Sequence, residues 1–191
     1  MRKLIYIFLI SIIGGFLSVV TSQQIALKNN LLYDLTATPN LAVEFRMSDK
    51  TTLDILGGFN PFNLGTNKKL KHFLVQPEVR YWTCESFNGL FFGLHLHGGM
   101  YNLGGVKLPL GIFPALETKR YEGYFLGGGL SVGYHWILSS RFSIEASAGY
   151  GYVYTDRKKF NCEKCSDIIN QEKRNLFLPT KAAISLIYII K

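Results

Sequence analysis

Residues 123–136 read Gly123-Tyr124-Phe125-Leu126-Gly127-Gly128-Gly129-Leu130-Ser131-Val132-Gly133-Tyr134-His135-Trp136. In steps of two they separate into unlike sets. Tyr124, Leu126, Leu130, Val132 and Tyr134 share one face, and Gly123, Gly127, Gly129, Ser131 and Gly133 share the other. A repeat of two is the mark of a β-strand, because successive side chains leave opposite faces of the pleat. One face is large and apolar. The other is small and polar. The glycine triplet is no phosphate loop, since no Gly-Lys-Ser/Thr and no helix follow it. Close packing of a sheet explains it instead.

The same alternation recurs in both directions along the chain. Leu41, Val43, Phe45 and Met47 oppose Asn40, Ala42, Glu44 and Arg46. Phe73, Val75, Val79 and Tyr81 oppose Gln76, Glu78 and Arg80. Leu90, Phe92, Leu94, Leu96 and Met100 oppose Gly93, His95, His97 and Gly99. Phe142, Ile144, Ala146, Ala148 and Tyr150 oppose Ser143, Glu145, Ser147 and Gly149. Ile184, Leu186, Tyr188 and Ile190 oppose Lys181, Ala183 and Ser185. Looser strands fit near Ile25–Tyr33 and Thr51–Phe59, which makes eight. Pro77 lies inside the fourth and cannot donate to a ladder, so a bulge is expected there.

Which face is polar decides the kind of barrel. A soluble barrel holds its large apolar residues inside. Here the apolar face is almost free of charge, and the small-residue face holds Glu44, Arg46, Asp54, Glu78, Arg80, Glu145 and Lys181. The expected fold is all-β: an eight-stranded antiparallel transmembrane up-and-down β-barrel, apolar towards lipid and polar within. Closure follows, since an open edge in hydrocarbon leaves backbone groups unsatisfied. Connections near Ser48–Lys50, Glu85–Asn88 and Leu138–Ser140 are short. Those over Asn60–Lys71, Asn102–Arg120 and Thr155–Asn175 are long, with Thr36–Pro39 as a first outer loop. Alternating short and long connections place both termini in the periplasm. Strands of about 11 residues are expected. Aromatic girdles are expected from Tyr81, Trp82, Tyr134, Trp136, Phe142 and Tyr188 at the inner ends, and from Tyr101, Tyr121, Tyr124, Tyr152 and Tyr154 at the outer ends.

The 191-residue chain is 48% hydrophobic and 18% charged, which excludes a disordered chain. Only Leu4–Val20 is a long uncharged apolar run, which excludes a helical membrane bundle. Preceded by Arg2 and Lys3 and followed by Val20-Thr21-Ser22, that run reads as a signal peptide over 1–22. Residues 23–191 then form the barrel. Loss of Arg2 and Lys3 lowers the formal charge from +8 to +6.

Resemblance adds to this reading. Lys181-Ala182-Ala183-Ile184-Ser185-Leu186-Ile187-Tyr188 resembles the assembly signal of outer-membrane barrels, with Lys181, Ala183, Leu186 and Tyr188 at the matching positions. Ile189-Ile190-Lys191 extend beyond its aromatic. Leu27–Asp34, Val75–Trp82, Tyr121–Gly123, Gly133–Leu138 and Pro179–Lys191 resemble an uncharacterised family of short Gram-negative outer-membrane barrels, known only as a domain of unknown function. That resemblance implies residence in the outer membrane, dealings with the barrel assembly machinery, and occasional neighbourhood to fimbrial genes. It carries over no catalytic residue.

Candidate chemistry is sparse. Cys162-Glu163-Lys164-Cys165 sits in the last outer loop. Zinc would want two further ligands and a redox site a βαβ context, so an exported chain favours a disulfide. Cys84, near an inner turn, is expected free or paired with another molecule. His95, His97 and His135 point inward; hydrogen bonding in a polar interior explains them better than a metal. Glu44, Arg46, Asp54, Glu78, Arg80, Glu145 and Lys181 are expected to form a buried ion-pair network, since buried charges need partners and an eight-stranded barrel is narrow enough to be filled. A lipid A-modifying enzyme would need a Ser/His/acid set, and His72 has no obvious Ser partner. A narrow channel is the other alternative. The outer loops are basic, with Lys71, Arg120, Lys158, Lys173 and Arg174 among them. Lipopolysaccharide phosphates and membrane lipid are the expected partners by attraction, together with fimbrial proteins by resemblance. No cofactor, no nucleic acid and a monomeric state complete the expectation.

Overall fold

The structure is a computed structural model describing residues 24–62, 69–104, 119–161 and 168–190. The elements are β1 (Ile25–Asn30), α1 (Leu31–Asp34), β2 (Asn40–Ser48), β3 (Thr51–Asn60), β4 (Lys69–Trp82), β5 (Gly89–Gly104), β6 (Lys119–Ile137), β7 (Phe142–Asn161) and β8 (Ile168–Ile190). Each strand pairs antiparallel with the next, and β8 returns to β1, so the sheet closes in up-and-down order. The ring is sheared. Partners traced from Ala26 pass through Glu44, Asp54, Glu78, His95, Gly129 and Gly151 to Leu178. Ala26 itself meets Ile189, eleven residues further along β8. Such a stagger tilts the strands against the axis of the ring.

Alternation is realised as expected on both faces. Leu94, Leu96, Met100, Leu126, Leu130 and Tyr150 are among the most exposed side chains, Leu130 at 68%. Glu44, Asp54, Glu78, Arg80, His95, His97 and Glu145 are buried. No helix among the described residues is long and apolar enough to cross a membrane.

Several local expectations change. Asn30 ends the first strand early: its side chain accepts from Leu32 N at 3.1 Å and caps α1. Pro77 makes no bulge. Val75 pairs with Gly98 and Glu78 with His95, so the register is the same on both sides and the β4–β5 ladder only lapses at Gln76 and Pro77. Register shifts fall elsewhere, between Arg46 and Ser48, between Lys159 and Phe160, and at Thr180. Gly149 pairs with Lys181 and Tyr150 with Pro179, leaving Thr180 unpaired.

Of the long outer connections, Thr155–Asn175 is largely strand: Thr155–Asn161 belongs to β7 and Ile168–Asn175 to β8. β6, β7 and β8 run to 19, 20 and 23 residues. Thr155 to Phe160 pairs with β8 as a hairpin extension. Its cross-strand neighbours are charged: Arg157 donates to Glu172 at 3.0 Å, and Arg174 to the same carboxylate at 2.9 Å. Both faces there are wet, so no apolar alternation marks these residues as strand. β1 to β3 are much shorter, so one side of the ring stands taller than the other. Positions 1–22, Cys162, Cys165 and Lys191 lie outside the described residues.

Candidate functional site

The interior is built in two storeys, each seated on glycine. A Cβ added at Gly93 would strike Glu78 and Ser131, and one at Gly133 would strike Phe91. At Gly127 it would lie 2.6 Å from His97 Nε2, and at Gly129 3.0 Å from His95 Nε2. The glycines on one wall thus admit the large side chains of the next. This is the role of the small-residue face.

The first storey is an ion cluster around Arg80. Its Nη1 donates to Glu44 at 3.1 Å and to Glu145 at 2.9 Å, its Nη2 to Asp54 at 2.8 Å, and its Nε to Glu78 at 3.0 Å. The guanidinium lies 4.5 Å from the centroid of Phe91. Lys28 bridges Glu44 and Glu145, the latter at 2.8 Å. Lys181 pairs with Glu78, which also accepts from Ser131 at 2.9 Å. Thr52 donates to Glu44 and accepts from Trp82 Nε1 at 2.9 Å. Four carboxylates therefore face three cations, all of them buried except Lys181, which is part-buried. The pairing offsets the desolvation of each charge.

Two corrections concern this cluster. Arg46 is not in it. It is 30% exposed and donates to Asp49 at 2.9 Å and to Gln24 at 3.3 Å, at the end of the ring near the termini. Lys28 takes the missing place, and its strand alternates too weakly for its face to be read from sequence. Trp82 is likewise not in a girdle. It is fully buried among Phe87, Phe91 and His135, with ring centroids 6.1, 4.8 and 5.7 Å away. Phe87 reaches this aromatic floor from the β4–β5 turn, at a backbone φ of 66°. Tyr101 also turns inward, its hydroxyl 2.9 Å from Thr155 Oγ1.

The second storey holds two of the three histidines. His95 Nε2 lies 2.8 Å from Thr180 Oγ1, and the His95 and His97 rings are 5.6 Å apart. The bulge explains the contact: it turns Thr180 inward beside Lys181, two consecutive residues towards one space. His97 also packs 5.9 Å from Phe125. His135 stands apart at the aromatic floor, 3.9 Å from Glu145. The three rings do not converge. Among the described residues no group of three or more His, Cys, Asp or Glu could hold a metal. His72 reaches Thr38 Oγ1 at 3.4 Å near the outer rim. Cys84 is exposed and free. In β8, Ala183 faces inward, while Leu186 faces out and Tyr188 packs 5.3 Å from Phe142.

Fold and interior together define a class: a closed eight-stranded antiparallel β protein, apolar outside, with paired charges inside. Residues 5–190 match the family described as protein of unknown function (DUF3575), and the chain belongs to that family. No curated protein and no solved structure matches it.

Proposed function

We propose that this protein is a non-enzymatic β-barrel of the Gram-negative outer membrane, with both termini periplasmic, a filled interior, and a tall outer wall that serves as a platform for a surface structure such as a fimbria. One observation carries the reading. The closed sheet turns its apolar side chains out and its charges in, the reverse of a soluble barrel. The size of the apolar belt supports it. On β6 the belt runs from Tyr124 to Trp136. At ~3.3 Å per residue and a tilt near 40°, that stretch rises about 30 Å along the ring axis, enough for the ~25 Å apolar band of such barrels.

A filled bore argues against a diffusion channel, because Arg80 and its four carboxylates occupy it. For the alternative lipid A-modifying reading, the contact to weigh is that of His72 with Thr38 Oγ1 at 3.4 Å near the outer rim. The basic outer wall suits anionic lipopolysaccharide. The link to fimbriae rests on the family resemblance.

Full-length protein expressed with its N-terminal segment tests the reading. It should fractionate with outer membranes, resist carbonate extraction and shift on a gel after heating. An impermeant maleimide should label Cys84 in a Cys162→Ser/Cys165→Ser background only once the outer membrane is opened. Recovery as a soluble periplasmic protein refutes the membrane reading. Labelling of Cys84 on intact cells refutes the orientation.

A further inference from the structure

The outward face of β3 to β8 carries a groove of about 720 Å³ at its outer end. Two neighbouring rows of side chains border it. Phe73, Met100 and Tyr124 are register partners across β4, β5 and β6, all exposed, with Phe59 beside them on β3. Two residues further out on the same strands, Lys71, Asn102, Glu122 and Lys158 are register partners across β4 to β7. A step of two keeps to one face, so apolar and polar rows lie side by side on the outside of the ring.

The charges of the polar row are unequal in availability. Glu122 accepts from Asn102 Nδ2 at 3.3 Å and lies 3.8 Å from Arg120 Nη2. Asp156, which also borders the groove, accepts from Gln171 Nε2 at 3.1 Å. Both carboxylates are therefore engaged. Lys71 and Lys158 are exposed, and neither has an acidic partner within 4.0 Å among the described residues. Two available ammonium groups thus bracket a polar row that sits directly above an apolar one.

We propose that this groove binds a phosphorylated acyl lipid of the outer leaflet, with phosphate at Lys71 and Lys158 and acyl chain along Phe73, Met100 and Tyr124. The inference rests on the membrane reading above and deepens it. Neither row suffices alone. Free phosphate has no use for the aromatic border, and a neutral lipid has none for the lysines. An ammonium beside phosphate makes charge-assisted hydrogen bonds, and the acyl chain is already in contact with the belt around the ring.

The test uses full-length protein folded in detergent micelles, checked first by its heat-dependent gel shift. Native mass spectrometry then measures retention of diphosphoryl lipid A, of the same lipid with its phosphates removed, and of diphosphoryl lipid A in excess inorganic phosphate. Retention should survive inorganic phosphate and fall about ten-fold on dephosphorylation, the scale of losing charge-assisted contacts. Lys71→Gln/Lys158→Gln should show a similar loss. Lys173→Gln, an exposed lysine of β8 outside the groove, should leave retention unchanged. Undiminished binding by the double variant, undiminished binding of the dephosphorylated lipid, or displacement by inorganic phosphate overturns the site while leaving the membrane reading intact. Failure to fold in micelles overturns both.

Discussion

Replacing Arg80 with methionine keeps the apolar stem and removes the guanidinium. Four carboxylates lose a partner at 2.8–3.1 Å, and only Lys28 and Lys181 remain to face them. Removing one partner of a single buried pair costs about 3–5 kcal/mol. Arg80 serves four acceptors at once, so the loss belongs at or above the top of that range, on the order of 5 kcal/mol. Arg80→Lys keeps the charge but replaces a planar fork with one compact ammonium that cannot span four carboxylates. Its cost should be smaller, on the order of 2 kcal/mol, equivalent to one or two charged hydrogen bonds. Adding Glu145→Gln to Arg80→Met removes one stranded charge and should recover part of the loss. The assay is urea unfolding in micelles, followed by tryptophan fluorescence, because Trp82 sits on the cluster through Thr52. The gel shift gives a second probe. An Arg80→Met protein within about 1 kcal/mol of the parent would refute the buried-cluster account.

Other outcomes follow from the same geometry. Gly93→Ala should destabilise by about 1–3 kcal/mol through overpacking against Glu78 and Ser131. Gly57→Ala, whose added carbon meets nothing nearer than 3.9 Å, is the matched control and should be near neutral in the same unfolding assay. Deleting Thr180 removes the surplus residue and leaves a regular ladder, Lys181 on Gly149 and Pro179 on Tyr150, in which the outer part of β8 keeps its face. It should leave the heat-dependent gel shift in place and, like Thr180→Val, cost little more than the His95 contact, about 1 kcal/mol in the same unfolding assay. Beyond the apolar belt, the hydrogen bond from Arg157 holds the Glu172 carboxyl below the usual carboxylate range, with further help from Arg174. The folded value is the lower one, so the pairing contributes fully above the ordinary carboxylate value and is lost as pH falls through the depressed one. An NMR titration should place Glu172 below that range, and Arg157→Ala should move it back up.

Much of the architecture was legible because membrane and interior impose opposite demands on adjacent residues. Wherever one face is apolar and the other small or charged, as in 123–136 and 142–150, alternation locates the strand and its orientation. The signal fails where the two faces are alike. β7 and β8 beyond Thr155 are wet on both sides, so they read as loop. In β1, Lys28 stands among asparagines and leucines with no clear period, and the cluster's third cation went unrecognised there. Trp82 and Phe91 are large residues on the face where small ones predominate. Phe91 fits inside because Gly133 opens room for its ring, and Trp82 packs on Phe91 there, which only the register between strands discloses. Thr180 is of the same kind: a local irregularity in pairing, invisible to any fixed period, decides where it points.

The unequal strand lengths bear on how the ring closes. β1 has 6 residues against 23 in β8, so most of β8 finds no partner on that side. The seam has six register pairs and the β1–β2 ladder on the other flank has four, so β1 is held by few backbone pairs, and its side chains reinforce them. Lys28 reaches past β8 to Glu145 on β7, and Asn30 Nδ2 donates to Ala182 O at 3.2 Å. Local opening is cheapest where the fewest backbone bonds break. β1 is therefore the cheapest strand to peel from the ring, with Lys28, paired to Glu44 on β2 and to Glu145 on β7, as its latch.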